Sequence, residues 1–190
     1  MPGLSSLFPI ISVVWILVAV RQYKSEDFFY FFFLAMIELT IYFVRNILHS
    51  NSNSFAISFS LLILFFLYNK NLFIKYIYLF GVIFIIASCI DWNALMHEKQ
   101  IYLIAAFQFL FFVIFLKRFI ISAILEKKIN FFLLLLIFYE LTILSKLITL
   151  ISGSASAYMF FIITTVFEGI LGLIFLYFRE DDHRLIMIIR

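Results

Sequence analysis

Seven apolar stretches divide this chain, and its basic residues gather in every second gap between them. Arg21 and Lys24 follow the first stretch, and Lys70 and Lys75 follow the third. Lys117, Arg118, Lys127 and Lys128 follow the fifth, and Arg179, Arg184 and Arg190 follow the seventh. These are eleven of the fourteen Lys and Arg residues. The alternate gaps hold only Arg45 and Lys99, and Lys146 lies inside a stretch. Cytoplasmic loops of membrane proteins concentrate Lys and Arg in this way. The expected fold class is therefore all-α: a polytopic membrane protein, a bundle of seven transmembrane helices with its N-terminus outside and its C-terminus in the cytoplasm. The expected spans are Leu4–Val20, Phe28–Val44, Ser54–Tyr68, Leu72–Ile90, Ile101–Leu116, Asn130–Ile151 and Ala155–Phe178.

Composition points the same way. Hydrophobic residues make up 66 % of the chain and charged residues 13 %, about half the charged share of an ordinary soluble domain. A bilayer accommodates this, since its hydrocarbon core takes roughly 20 apolar residues per helix. A transmembrane β-barrel would need apolar and polar residues in alternation. Phe131–Phe138 is apolar at every position, so helices are expected. The stretch Met1–Val20 has no charge, and Arg21 comes after it. A cleaved signal peptide has the reverse order, so the first stretch reads as a span. Residues 1–190 are expected to form one integral membrane domain, with no soluble domain. The composition bias toward Phe, Ile, Tyr, Asn and Lys suggests an AT-rich bacterial genome, hence a cytoplasmic (inner) membrane. The net charge of +3 follows from topology and does not call for nucleic acid.

Few segments remain outside the spans. Lys117–Ile129 carries Phe119–Leu125 between basic pairs, which fits a helical turn lying on anionic lipid. The tail Arg179–Arg190 has the same mixed character. The outer loops, His49–Ser54, Asp91–Gln100 and Ser152–Ser154, are short and polar. None of these carries a phosphate-binding Gly-rich loop or a His-Glu-x-x-His zinc helix, and no nucleophile–base pair is recognisable. No enzyme activity and no cofactor are expected. Cys89 is the single cysteine, which excludes an intramolecular disulfide. His49 and His97, with Asp91 and Glu98, could in principle bind zinc, but their spacing matches no metal motif and they read as solvated loop residues, so no metal is expected. Trp92, Tyr23, Tyr68, Tyr102 and Tyr177 fit interface belts.

Phe contributes 28 residues and Gly only 5, and Pro occurs only at positions 2 and 9. Large aromatic side chains should therefore pack the helices. Gly169 and Gly172 offer one small-residue pair for a close crossing. From the second span onward nothing predicts proline kinks or the broken helices that build many transporter sites.

A short repeat lies at the middle of the second and sixth spans: Glu38-Leu39-Thr40-Ile41 and Glu140-Leu141-Thr142-Ile143. It implies two parallel triplets of helices joined by a linker helix, a 3+1+3 layout. That layout resembles the topology of sugar-exporting SWEET proteins, vitamin-precursor importers of the PnuC type and KDEL receptors. The Pro-Gln pair of PQ-loop proteins is absent, so none of their binding residues transfers to this chain. The two repeat motifs together with Ile90-Asp91-Trp92-Asn93 also resemble small seven-helix membrane proteins of AT-rich bacteria, a resemblance that implies no particular activity.

Polar groups inside the spans are where a function can lie. Glu38, Glu140 and Glu168 fall near mid-span, Gln108 lies mid-span in the fifth, and Thr164 and Thr165 lie one turn from Glu168. A charge at the bilayer centre costs ~3 kcal/mol or more, so these groups should face the bundle interior, pair or hold a proton. Arg45 and Lys146 are the cations nearest to them. Each has a plain alternative: the cations can snorkel to the headgroups, and each acid can sit protonated and hydrogen-bonded to a neighbouring helix. The candidate site is Glu38, Arg45, Gln108, Glu140, Lys146 and Glu168. The inner half of the bundle should be plugged by Phe31, Phe112 and Phe175, with any polar cavity opening outward between the second, sixth and seventh helices. The expected function is a non-enzymatic bundle, an accessory subunit or a ligand- or partner-binding sensor of a membrane complex. Its partners would be the lipid bilayer and another membrane protein. The alternative is a small proton-coupled transporter or ion pathway using the mid-membrane glutamates.

Overall fold

The computed structural model describes residues 7–46, 53–89, 97–152 and 157–188. They are almost entirely helical: α1 Leu7–Arg21, α2 Phe28–Asn46, α3 Asn53–Tyr68, α4 Lys70–Lys75, α5 Ile77–Cys89, α6 His97–Ile124, α7 Phe131–Ser152 and α8 Ala157–Tyr177. Two three-residue strands, β1 Lys128–Asn130 and β2 Ile186–Ile188, form an antiparallel ribbon. Within α6, α7 and α8, Lys99–Ile124, Phe131–Ser152 and Met159–Tyr177 are long and apolar enough to cross a bilayer. Pro9–Arg21, Phe28–Val44 and Asn53–Tyr68 are shorter apolar helices. Their outward faces carry large apolar side chains: Val20, Phe43, Ile85, Ile148 and Ile163 are each more than half exposed. Water would not tolerate an apolar surface of that extent, and a helix is the form in which apolar chain satisfies its own backbone in hydrocarbon. This is an α-helical membrane protein.

Among the described residues, six helices close a ring by pairwise packing: α1 on α2, α2 on α3, α3 on α6, α6 on α7, α7 on α8, and α8 back on α1. Helices α4 and α5 lie outside it, leaning on α3. The expected fourth span, Leu72–Ile90, is divided at Tyr76 into α4 and α5. Phe73 of α4 is tucked among Phe29, Phe33 and Phe66, with ring centroids 5.6–5.9 Å apart. Tyr76–Leu79 beyond it are exposed.

Aromatic side chains fill the ring, as the Phe content leads one to expect. Phe31, Phe132 and Phe175, from α2, α7 and α8, meet at centroid distances of 5.3–5.9 Å and exclude solvent completely. Trp15 of α1 lies 4.8 Å from Tyr139 of α7. Phe112 is only partly buried and packs on the margin of this core. At Gly172 of α8 an added Cβ would come within 2.8 Å of Val14 Cγ1, so this glycine sets the close approach of α8 to α1. Gly169 has no such role, with its nearest neighbour at 3.8 Å.

The polar segment Lys117–Ile129 is organised differently from the interfacial turn expected of it. Helix α6 runs on through Ile124, and the chain reverses through Lys127 in the left-handed region (φ 52°). β1 then pairs with the tail, Lys128 opposite Ile188 and Asn130 opposite Ile186. Asn130 Oδ1 also accepts from the backbone N–H of Phe132 and Leu133 (3.0 and 3.3 Å), capping α7.

Candidate functional site

An ion pair between mid-span groups joins α7 to α8. Lys146 Nζ donates to both carboxylate oxygens of Glu168 at 3.0 Å and lies 4.4 Å from the centre of the Phe161 ring. Both side chains are largely buried. Lys146 therefore turns inward to its partner and does not snorkel. The α7–α8 packing makes this possible, because the two helices are neighbours over this stretch. Glu38, half-buried on α2, lies within electrostatic reach of both Glu168 and Lys146. Two acids thus face one ammonium group.

Glu140 is fully buried nearer the ring's centre and accepts a hydrogen bond from the hydroxyl of Tyr30, a contact across the ring from α2 to α7. Its second oxygen, Oε2, has no partner among the described residues. The same is true of Gln108 Oε1 on α6 and Thr165 Oγ1 on α8, both buried. Thr164 instead returns its hydroxyl to the carbonyls of Phe160 and Phe161. Tyr139, buried against Trp15, is within electrostatic reach of Glu38, Glu140 and Glu168.

Of the six candidate residues, the structure gathers Glu38, Lys146 and Glu168 into one group and gives Glu140 to Tyr30. Gln108 is buried on α6, which packs between α3 and α7. Arg45 belongs to α2, but its side chain lies outside the described residues. So do Trp92 and the side chains of His49, Cys89, Asp91, His97 and Glu98. Tyr30 and Tyr139 were missed as site residues. In sequence they are two tyrosines among many aromatics, and only the α2–α7 juxtaposition gives Tyr30 its carboxylate.

Compared with known proteins, the chain matches no family profile, no curated protein and no solved structure. Its own geometry has to carry the functional reading.

A second polar assembly, also missed, lies at the end of the bundle where α1, α6 and α8 finish. Gln22 is fully buried in the turn after α1. Its Nε2 donates to the carbonyls of Phe175 and Phe178 (2.8 Å each), and its Oε1 accepts from Glu180 N at 3.2 Å. One side chain thereby satisfies part of the C-terminal end of α8. Asp27 N donates to Glu180 Oε2 at 2.8 Å. Arg118 of α6 donates to Asp27 Oδ1 at 2.7 Å and lies 3.8 Å from Glu180 and 3.9 Å from Glu26. Burial, reinforced by the charge of Asp27, pushes the Glu180 carboxyl up to about 8. The sequence signal for this assembly was a polar turn, Gln22–Asp27, placed beside a polar tail; it does not say which residues meet.

Proposed function

We propose that this chain is a non-enzymatic bundle of seven membrane-spanning helices that serves a bacterial cytoplasmic-membrane complex, as an accessory subunit or as a module binding a ligand or partner. The observation that carries this reading is the pairing of the buried ionisable groups and the aromatic filling of the bundle. Lys146 is satisfied by Glu168, Tyr30 by Glu140, and the rings of Phe31, Phe132 and Phe175 fill the bundle with no exposed surface. A transporter needs a polar route from the midplane to both surfaces, in turn or at once. A binding bundle needs only a closed cluster and a face for its partner.

The 3+1+3 layout has support in the ring. Its successive contacts α1–α2, α2–α3 and α3–α6 correspond to α6–α7, α7–α8 and α8–α1. Helices α4 and α5 are then the linker outside the two triplets. The repeated motifs lie on the corresponding members α2 and α7, where Leu39 and Leu141 are exposed to the same extent, 36 % and 37 %. The orientation, with the Arg21, Arg118 and Arg179 end in the cytoplasm, rests on the distribution of Lys and Arg. An alkaline phosphatase fusion at Arg190 tests it, since activity in the periplasm would reverse the orientation.

Purification in mild detergent, followed by mass identification of what remains bound, should return a membrane protein or ligand in defined ratio. In liposomes the protein should show no proton-coupled flux. The second reading, a small proton-coupled pathway, is favoured by one observation: Glu140 Oε2, Gln108 Oε1 and Thr165 Oγ1 are buried acceptors without partners among the described residues. Robust flux that Glu140→Gln abolishes would make that reading the correct one.

A further inference from the structure

We propose that the groove between α1 and α2 is a binding site for one acyl chain of an anionic glycerophospholipid, whose phosphate rests against Arg21 and Lys24. The proposal takes from the reading above that this end of the bundle lies at a membrane surface. The groove encloses about 370 Å³. Ala19 and Ala35 are the small side chains that leave the space, and Val20, Phe32, Met36 and Leu39 wall it. Val20, Phe32 and Leu39 are exposed, so the groove opens to the lipid side of the bundle.

Its dimensions select the occupant. The α2 wall runs from Phe28 to Leu39, about 16 Å at the rise of an α-helix. That is half of the ~30 Å hydrocarbon core, the depth of one leaflet.

The mouth of the groove supplies the charge. Tyr23 and Phe28 flank it with their rings edge to face at 5.3 Å. Lys24 holds its ammonium 5.6 Å from the Tyr23 ring centre. Arg21 and Lys24 are exposed, and among the described residues neither takes part in an ion pair. The turn that carries them is held firmly. Tyr23 N donates to Val20 O, Ser25 N to Gln22 O, Gln22 is bonded into the end of α8, and Arg179 Nη2 donates to Tyr23 O at 3.1 Å. Lys24 itself sits in the left-handed region (φ 69°), a conformation that side-chain-bearing residues adopt rarely and that a fold keeps where it is over-determined. Neither groove has a basic residue in its lining; beside the second one, about 410 Å³ between α7 and α8, the nearby Lys146 is committed to Glu168, whereas Lys24 beside Tyr23 of the first forms no ion pair among the described residues. The second groove serves as an internal contrast.

The test uses the full chain in mixed micelles, read by native mass spectrometry with phosphatidylglycerol, phosphatidylcholine of the same chains, or inorganic phosphate. Phosphatidylglycerol should be retained in preference to phosphatidylcholine. Arg21→Ala with Lys24→Ala should lower its retention about thirtyfold, the product of two basic contributions at an anionic lipid surface. Val20→Trp, at an exposed rim position, should block the groove and lower retention of either lipid. Orientation in a membrane has no influence in micelles, so a reversed reporter result at Arg190 leaves this test intact. Equal retention of both lipids, or retention indifferent to both variants, overturns the proposal. So does inorganic phosphate competing as well as the lipid, or a co-purified membrane protein displaced by Val20→Trp while lipid is unaffected.

Discussion

The two ionic assemblies of this bundle are built on opposite plans. At mid-depth, Lys146 and Glu168 face each other one to one between adjacent helices, with Glu38 as a more distant second acid. At the basic end, Arg118 faces Asp27, Glu180 and Glu26, and the contacts join the turn after α1, helix α6 and the tail after α8. The first pair is largely buried, its side chains 15 % and 6 % exposed. The second is open on one side: the Arg118 side chain is 31 % exposed while that of Asp27 is 3 % exposed. A buried ion pair earns little net stability against apolar replacements, yet breaking it is costly because a lone charge is left behind. A mixed assembly in contact with water can redistribute protons and solvent instead. The comparison teaches that the mid-depth pair depends on its single partner for compensation, whereas the basic-end assembly, a latch on the tail, shares one cation among several acids and water.

The largest effect should come from breaking the mid-depth pair. Lys146→Met leaves Glu168 buried beside Glu38 and should cost about 3–5 kcal/mol of stability in micelles. The double variant Lys146→Met, Glu168→Leu should recover most of that loss, because two apolar side chains replace a pair of compensated charges. Unfolding measurements on the single and double variants check this. If the double variant is no better than the single one, the pair is not a unit and the comparison fails.

Removing the latch's cation should cost less. Arg118→Met deletes a charge-assisted hydrogen bond worth about 2 kcal/mol, but water can reach the position that the guanidinium leaves. The loss should be local to the tail. Hydrogen exchange at Ile186–Ile188 should accelerate while amides in α7 keep their protection. Equal acceleration in both places would show that the basic end holds the whole bundle and not only its tail.

The smallest effect separates the two assemblies by pH. Glu180 has its carboxyl pushed up to about 8 by burial and by the Asp27 charge, against an ordinary value of 4.5. The folded state therefore holds a proton that the unfolded chain has released above about pH 4.5. Stability from this group is fully present below that value and is lost as pH rises through 8. Between pH 7 and 8 the loss should be at most about 1.4 kcal/mol, the limit for one proton. The groups facing Glu180 are Asp27, Arg118 and Gln22. Melting curves across that interval should show the fall in the native chain and a flatter profile in Glu180→Gln. A native profile that rises from pH 7 to 8 would contradict the assignment.

The legible parts of the molecule were those written in local pattern. Apolar runs gave α1, α2, α3, α7 and α8 close to their observed bounds, since a helix in an apolar setting depends on little beyond its own residues, whereas α6, His97–Ile124, runs well past the expected Ile101–Leu116 at both ends. Mid-span carboxylates marked Glu38, Glu140 and Glu168 because charge there is expensive wherever it occurs. What could not be read was pairing. Lys146 had two acceptable fates, the headgroups or an acid, and only the packing of α7 on α8 decides for Glu168. Tyr30 had no sequence signal at all. The latch was hidden because its paired members lie far apart in the chain, as in Arg118 with Asp27 (91 positions) and Glu180 with Gln22 (158 positions). In Lys117–Ile129 the helical character of Phe119–Ile124 was legible, but β1 was not, because a strand three residues long has no periodicity to display and its pairing with Ile186–Ile188 depends on where the tail returns.

By itself the sequence determined that this chain forms apolar helices with acids near their middles and basic residues gathered between alternate stretches, because hydrophobicity and charge act on each residue where it stands. Only the tertiary structure decided that six of those helices close a ring and that aromatic rings fill it. It alone decided that α4 and α5 stay outside, that Lys146 pairs with Glu168 and Tyr30 with Glu140, and that Arg118 gathers the acids at the basic end. Those outcomes depend on which helix faces come together, a relation between distant residues that no local pattern contains.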